Sequence, residues 1–247
     1  MMGLDPARVR AVVRKELRDY RRRRAIVVTM AVLPIVFLLE PVLTVFVVRT
    51  GQTGAALSHG LILPILYLLL IPTVMPSTLA AYSVVGEREQ GTLEPLLTTP
   101  LRQQEFIVGK AASVMIPTIG LSYTVFGLFL AAVALFAQPA VATAFFHQGP
   151  VILALFLLAP LMAGWAIVVG MAVSVRATEV RVAQQLGTLA SLPPLGLIIL
   201  LAVGTLQPTL TVALAFAGTL LVLDALALLI VSGMFDRERL VTGTKAV

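Results

Sequence analysis

The chain has 247 residues, 59% of them apolar and 12% charged, with a formal net charge of +6. At a mean hydropathy of +1.00 there is too little polar surface to coat a water-soluble globule, so the composition specifies an integral membrane protein. Cysteine is absent, which excludes disulfides and thiolate metal sites. His59 and His147 lie too far apart in sequence to suggest a zinc cage, and no metal site is expected.

Asp5-Pro6 reads as a helix N-cap followed by proline at the first helical position. Val9, Val12, Val13, Leu17 and Tyr20 then recur at helical spacing as one apolar stripe flanked by basic residues, among them Arg14, Lys15 and Arg18. The pattern predicts an amphipathic helix within residues 1–24, lying on the cytoplasmic membrane surface. Charge and amphipathicity alone suffice to anchor such a helix to anionic lipid.

Apolar runs of about 20 residues, enough to cross ~30 Å of hydrocarbon at ~1.5 Å per residue, follow at 25–48, 61–85, 111–137, 150–175, 184–206 and 209–231. The first exceeds the ~7–15-residue core of a secretory signal and reads as a retained anchor. Pro193-Pro194 interrupts the fifth, and Gln207-Pro208 leaves a very short turn before the sixth, so a bent or re-entrant element is expected there. Basic residues cluster before span one, after spans two and four and at the C-terminus, with only Arg49 on the other face. Both termini are therefore expected in the cytoplasm, in a multi-pass protein of the cytoplasmic membrane.

Two carboxylates fall inside spans, where they are costly and count as functional candidates. Glu40 precedes Pro41, which loosens the local backbone; the acid is a candidate for a pathway or gate near the outer end, or else an outer-interface residue reaching toward headgroups or a dimer contact. Asp224 lies closer to the inner face, and their depths differ by ~12 Å in straight helices, too far for a direct pair.

Between spans two and three runs the one long polar interruption, 86–110. Gly86 and Gly91 bracket Glu87-Arg88-Glu89. Thr92 is placed to cap a short helix whose first turn tolerates Pro95 and holds Glu94 near its positive end. Leu93, Leu96 and Leu97 then form an apolar knob ringed by charge, suited to a socket on a soluble partner. Thr99-Pro100 restarts the chain, and a second helix through Arg102, Gln103, Glu105 and Phe106 leads to Gly109-Lys110.

The stretch G-E-R-E-Q-G-T-L-E-P-L-L-T-T-P-L, from Gly86 through Pro100 to Leu101, closely resembles the signature of ABC-2-type transporter permeases. The resemblance implies an all-α fold of six transmembrane helices with an N-terminal interfacial helix and a cytoplasmic coupling helix between spans two and three. The chain then divides into the interfacial helix (1–24), spans one and two (25–85), the coupling loop (86–110), spans three to six (111–231) and a cytoplasmic tail (232–247).

It further implies that Gly86, Glu87, Arg88, Glu89, Gly91, Thr92, Leu93, Glu94, Leu96, Leu97 and Pro100 receive force from a separate ATPase, which Arg14, Lys15, Leu17 and Arg18 help to brace. The chain has no G-x-x-x-x-G-K-[ST] phosphate loop. ATP and Mg²⁺ therefore belong to two copies of an ATP-binding subunit, and this chain binds no cofactor and has no catalytic site. A second permease copy or paralogue, surrounding lipid and no nucleic acid complete the expected partners. The implied function is export of a hydrophobic or amphipathic substrate along a path formed by spans one, two and five of two protomers. The alternative is an ion-coupled carrier or channel using Glu40 and Asp224, which predicts internal repeat symmetry that the sequence does not display.

Overall fold

The computed structural model describes residues 4–48, 54–91, 102–202 and 209–234, and every regular element among them is helical. Helix α1 (Pro6–Arg22) starts as its cap residues predict, the Asp5 carboxylate accepting from the Ala7 amide at 2.9 Å. It stops at Arg23, whose extended backbone turns the chain into α2 (Arg24–Leu43). A π-helical turn, Thr44–Val48, ends that span just past Pro41.

The second span is built in series from α3 (Gly54–Gly60), α4 (Ile62–Tyr67) and α5 (Leu70–Glu89). Proline sets the breaks, because its ring clashes with the carbonyl four residues back and it has no amide to donate. Pro64 faces back on Gly60, the last residue of α3, and Pro72 on Leu68, in the joint between α4 and α5. Next come α6 (Gln103–Phe136), a short α7 (Pro139–Phe146) and α8 (Gly149–Arg176). The fifth expected span is divided into α9 (Val180–Ser191) and α10 (Leu195–Ala202), separated at Pro193-Pro194. Helix α11 (Leu210–Met234) closes the described chain.

Among the described residues, five helices are long and apolar enough to cross a membrane: Ile26–Val47, Ala56–Glu89, Gln103–Phe136, Gly149–Arg176 and Leu210–Met234. The segment expected as another crossing is not one long helix, since Pro193 and Pro194 interrupt its amide ladder. Val180, the first residue of α9, lies beside Glu89 at the end of the bundle that carries α1. Leu201, near the last residue of α10, lines a small apolar cleft with Leu66, Pro150 and Thr209 at the opposite end.

Helices α5 and α8 are the most enclosed and form the centre, whereas α2 and α11 turn most of their apolar surface outward, including Ile35, Leu39, Leu221 and Leu229. The centre is tight because small residues meet there. A methyl placed on Gly170 of α8 would come within 2.8 Å of the Ala80 Cβ and 3.1 Å of the Ser77 carbonyl on α5. Gly187 brings α9 into the same crossing, with the Gly170 Cα 3.6 Å from where its own Cβ would stand.

Two boundaries differ from the sequence reading. Residues 86–89, expected in the polar connector, continue α5, and α6 runs unbroken from Gln103 past Lys110. The caps explain both. Gly91, with φ of +67°, supplies the left-handed stop just after α5. At the start of α6 the Glu105 Oε2 accepts from the Arg102 amide at 2.9 Å and so caps the first turn.

Candidate functional site

The Gly86–Glu89 segment is the most heavily tied part of the α1 end, and each charged side chain goes to a different neighbour. The Arg88 guanidinium donates to the carbonyls of Ala177 at 3.2 Å and Val175 at 3.4 Å, satisfying groups at the C-terminus of α8. Glu89 Oε1 accepts from the Val180 amide at 2.9 Å. Glu179 makes no side-chain cap of its own, so Glu89 supplies one from another helix, at the dipole end that favours negative charge.

Glu87 belongs to a closed ring of alternating charge. Its Oε1 lies 2.6 Å from the Lys110 Nζ and 2.8 Å from the Lys15 Nζ, while Glu16 Oε1 lies 3.0 Å from each of the same two ammonium groups. Lys110, Glu87 and Glu16 expose 2%, 7% and 8% of their side chains, against 43% for Lys15. The ring is thus enclosed on three corners and open to water at the fourth. Burial works against the charge on Glu16, but Lys110 and Lys15 outweigh it and hold the carboxyl below its usual value. Burial likewise opposes the charge on Lys15, yet its contacts with Glu87 and Glu16 raise the ammonium above the ordinary range.

Around the ring, α1 is docked against the bundle by contacts of several kinds. Glu105, wholly enclosed, accepts from the Asp5 amide at 3.1 Å and stands 3.5 Å from an Arg8 nitrogen. Val12 fills the space that a side chain at Gly109 would take, 2.7 Å from the position of such a Cβ. Tyr20 is buried beside Ser113, with 3.4 Å between the hydroxyl oxygens, and burial pushes its phenol up. The fifteen residue steps from Asp5 to Tyr20 cover about 22 Å along α1 and its cap, and the eight steps between their partners Glu105 and Ser113 about 12 Å of α6. Helix α1 therefore climbs obliquely along α6, its Val12, Glu16 and Tyr20 face turned onto protein rather than onto lipid.

Leu17 of the expected bracing set is half-buried, while Arg14 and Arg18 are exposed and share a shallow surface cleft with Arg10, Arg21 and Arg22. Gly86 lies beneath the Tyr82 ring. Thr92, Leu93, Glu94, Leu96, Leu97 and Pro100 lie outside the described residues. One further tie reinforces the end of α5: the Ser174 hydroxyl on α8 donates to the Ala81 carbonyl at 2.6 Å and accepts from the Val84 and Val85 amides at 3.0 and 3.1 Å.

The two intramembrane acids are not brought together. Glu40 Oε1 accepts from the Thr44 hydroxyl on its own helix at 2.8 Å. Asp224 lies against Gly164 of α8, its Oδ2 2.8 Å from where a glycine Cβ would stand, and its buried Oδ1 has no hydrogen-bond partner among the described residues. Nor do the described residues contain a cluster of three or more histidine, aspartate or glutamate side chains able to hold a metal ion.

Sequence reasoning missed Glu16, Lys110, Glu105 and Ser174 as site residues. Glu16 left a signal, since it falls between Val12 and Tyr20 at helical spacing on the apolar face of α1, where an acid needs a partner. Ser174 left none, because a serine in a membrane helix is ordinary.

A family model described as "ABC-2 family transporter protein" matches residues 12–177. The match begins in α1, takes in the polar interruption and ends where Arg88 meets the C-terminus of α8. No curated protein matches the chain.

Proposed function

The chain belongs to the ABC-2 transporter family and is a membrane subunit of a transporter; we propose that it is the permease of an ATP-driven exporter, coupled to a separate ATPase through the 86–105 segment. The observation that carries this reading is the convergence at the end of α5. Three consecutive charged residues, Glu87, Arg88 and Glu89, tie that helix end to α1, α6, α8 and α9. A push on the 90–102 connector, which joins the ends of α5 and α6, is passed by these ties into most of the bundle. Force delivered to one loop becomes movement of several helices together.

In this division of labour the Leu93, Leu96 and Leu97 knob enters a socket on the ATPase. Glu87, Arg88 and Glu89 carry the load inward, and the exposed arginines of α1, Arg14 and Arg18 among them, brace the partner. The basic end of the bundle faces the cytoplasm, and α9 with α10 makes a sixth, broken crossing, since the 23 residues from Val180 to Ala202 reach about 34 Å as helix. Two ATPase subunits with their ATP and Mg²⁺ and a second permease complete the assembly. The cargo is hydrophobic or amphipathic, because the described spans offer few polar groups for a highly charged solute.

The test is ATP hydrolysis by the assembled complex in lipid nanodiscs. Replacing Leu93, Leu96 and Leu97 with serine is expected to release the ATPase while the permease stays monodisperse. Reversing Glu87 and Glu89 to lysine is expected to keep the chain in the membrane and abolish substrate-dependent hydrolysis. Full stimulation in both variants would remove the coupling assignment.

A further inference from the structure

The ring Lys15–Glu16–Lys110–Glu87 has a structural consequence beyond the coupling loop itself. Two of its corners are on α1, one is on α5 and one is on α6, and each neighbouring pair is opposite in sign and within 3.0 Å. Every edge of the square is attractive, and the four charges sum to zero. Lys110 is the most enclosed corner, with its ammonium also 5.3 Å from the centre of the Phe106 ring. A buried charge that loses its counter-charge is costly, whereas removing a buried pair together is often nearly neutral. Moving α1 off would break the two edges that cross to it, Lys15–Glu87 and Glu16–Lys110, and leave Lys110 and Glu87 with one counter-charge each instead of two, so the ring favours the docked arrangement.

We propose that Lys110 and Glu16 are positioning residues which latch α1 to the coupling ends of α5 and α6, so that the three helices move as one body when the ATPase acts. The inference rests on the coupling reading above. It differs in placing essential residues outside the 86–105 segment, Glu16 on α1 and Lys110 within α6. Lys15, the wetter corner, completes the charge balance. Val12 against Gly109 and Tyr20 against Ser113 set the distance at which the ring closes.

The chain has no cysteine, so a single Val12→Cys substitution places one thiol on the docked face of α1, where Val12 is 7% exposed. Its labelling by a membrane-impermeant maleimide reports undocking without reference to ATP. In full-length protein in nanodiscs, Lys110→Met is expected to raise the labelling rate roughly tenfold or more, since it leaves Glu16 and Glu87 facing each other with Lys15 alone. Lys110→Met combined with Glu16→Gln keeps the Lys15–Glu87 pair and is expected to restore most of the protection.

In the complex, substrate-stimulated hydrolysis should follow the same order, lost in Lys110→Met and largely recovered in the double variant. Unchanged labelling in Lys110→Met, or a double variant as exposed as the sum of the singles, would overturn the latch. Labelling that behaves as expected while stimulated hydrolysis stays full in Lys110→Met would overturn the proposal that the latch serves coupling. A chain that recovers no ATPase would overturn the coupling reading instead, and the labelling arm would still decide whether the ring holds α1.

Discussion

The three-helix crossing of α5, α8 and α9 distinguishes two glycines that look alike in sequence. An added methyl at Gly170 would lie 2.8 Å from the Ala80 Cβ and 3.1 Å from the Ser77 carbonyl oxygen. These neighbours are a first side-chain carbon and a backbone atom, neither of which can swing away. An added methyl at Gly187 would find its nearest neighbours, the Gly170 Cα and the same Ser77 oxygen, at 3.6 Å, an ordinary contact.

Both substitutions gain the same helix propensity, ~1 kcal/mol for glycine to alanine. Only Gly170→Ala adds the cost of overpacking, ~1–3 kcal/mol. The clash thus sets the difference between the variants, and at ~2–4 °C per kcal/mol for a chain of this size Gly170→Ala should melt roughly 2–12 °C below Gly187→Ala. Trp165 is the single tryptophan and lies on α8 with Gly170, so its fluorescence during thermal unfolding in nanodiscs reads the crossing directly. Equal melting of the two variants, or a more stable Gly170→Ala, would refute the close approach of α5 and α8 and with it the setting of the Ser174 tie one turn further on.

Glu89→Ala removes the acceptor at the Val180 amide and should cost ~0.5–2 kcal/mol, as loss of a helix cap does; Glu89→Gln, which keeps an acceptor, should cost less, and amide exchange of the first turn of α9 checks both. Glu16 sits below its ordinary value of 4.5, so its contribution to docking is present above that value and is lost as pH falls through the folded one. Lys15 sits above its ordinary value of 10.5, so its contribution is present below that value and is lost as pH rises through the folded one. Labelling of Val12→Cys, normalised to an exposed Arg18→Cys reference, should therefore be flat between these limits and rise beyond both. With Glu40 bonded to Thr44 and Asp224 set apart on α11, collapsing the proton and sodium gradients should leave ATP-driven transport in proteoliposomes intact; loss of transport would favour the ion-coupled carrier.

The membrane class, α1, the polar interruption and the break at Pro193-Pro194 were legible in the sequence, because hydropathy, capping residues and proline act locally. The family was legible as well, from a motif whose residues are contiguous. The ends of α5 and α6 were less so. Charge at residues 86–89 reads as part of the connector when its partners are unknown, and those partners, Lys15, Lys110, Val175 and Val180, come from four other helices. Burial of Glu87 is thus a tertiary effect that single-chain polarity points away from. The stripe on α1 was read correctly as a face, but its occupant was not, since Val12 and Tyr20 meet α6 and an amphipathic pattern is the same whether its apolar side meets lipid or protein.

We propose that this chain passes on the work of a separate ATPase. The most direct test is affinity purification of the chain from its native membranes in mild detergent, with stoichiometric partners identified by mass spectrometry. A P-loop ATPase should be recovered with the wild-type chain and lost from the variant carrying serine in place of Leu93, Leu96 and Leu97. A folded chain that repeatedly comes out with no ATPase would contradict it.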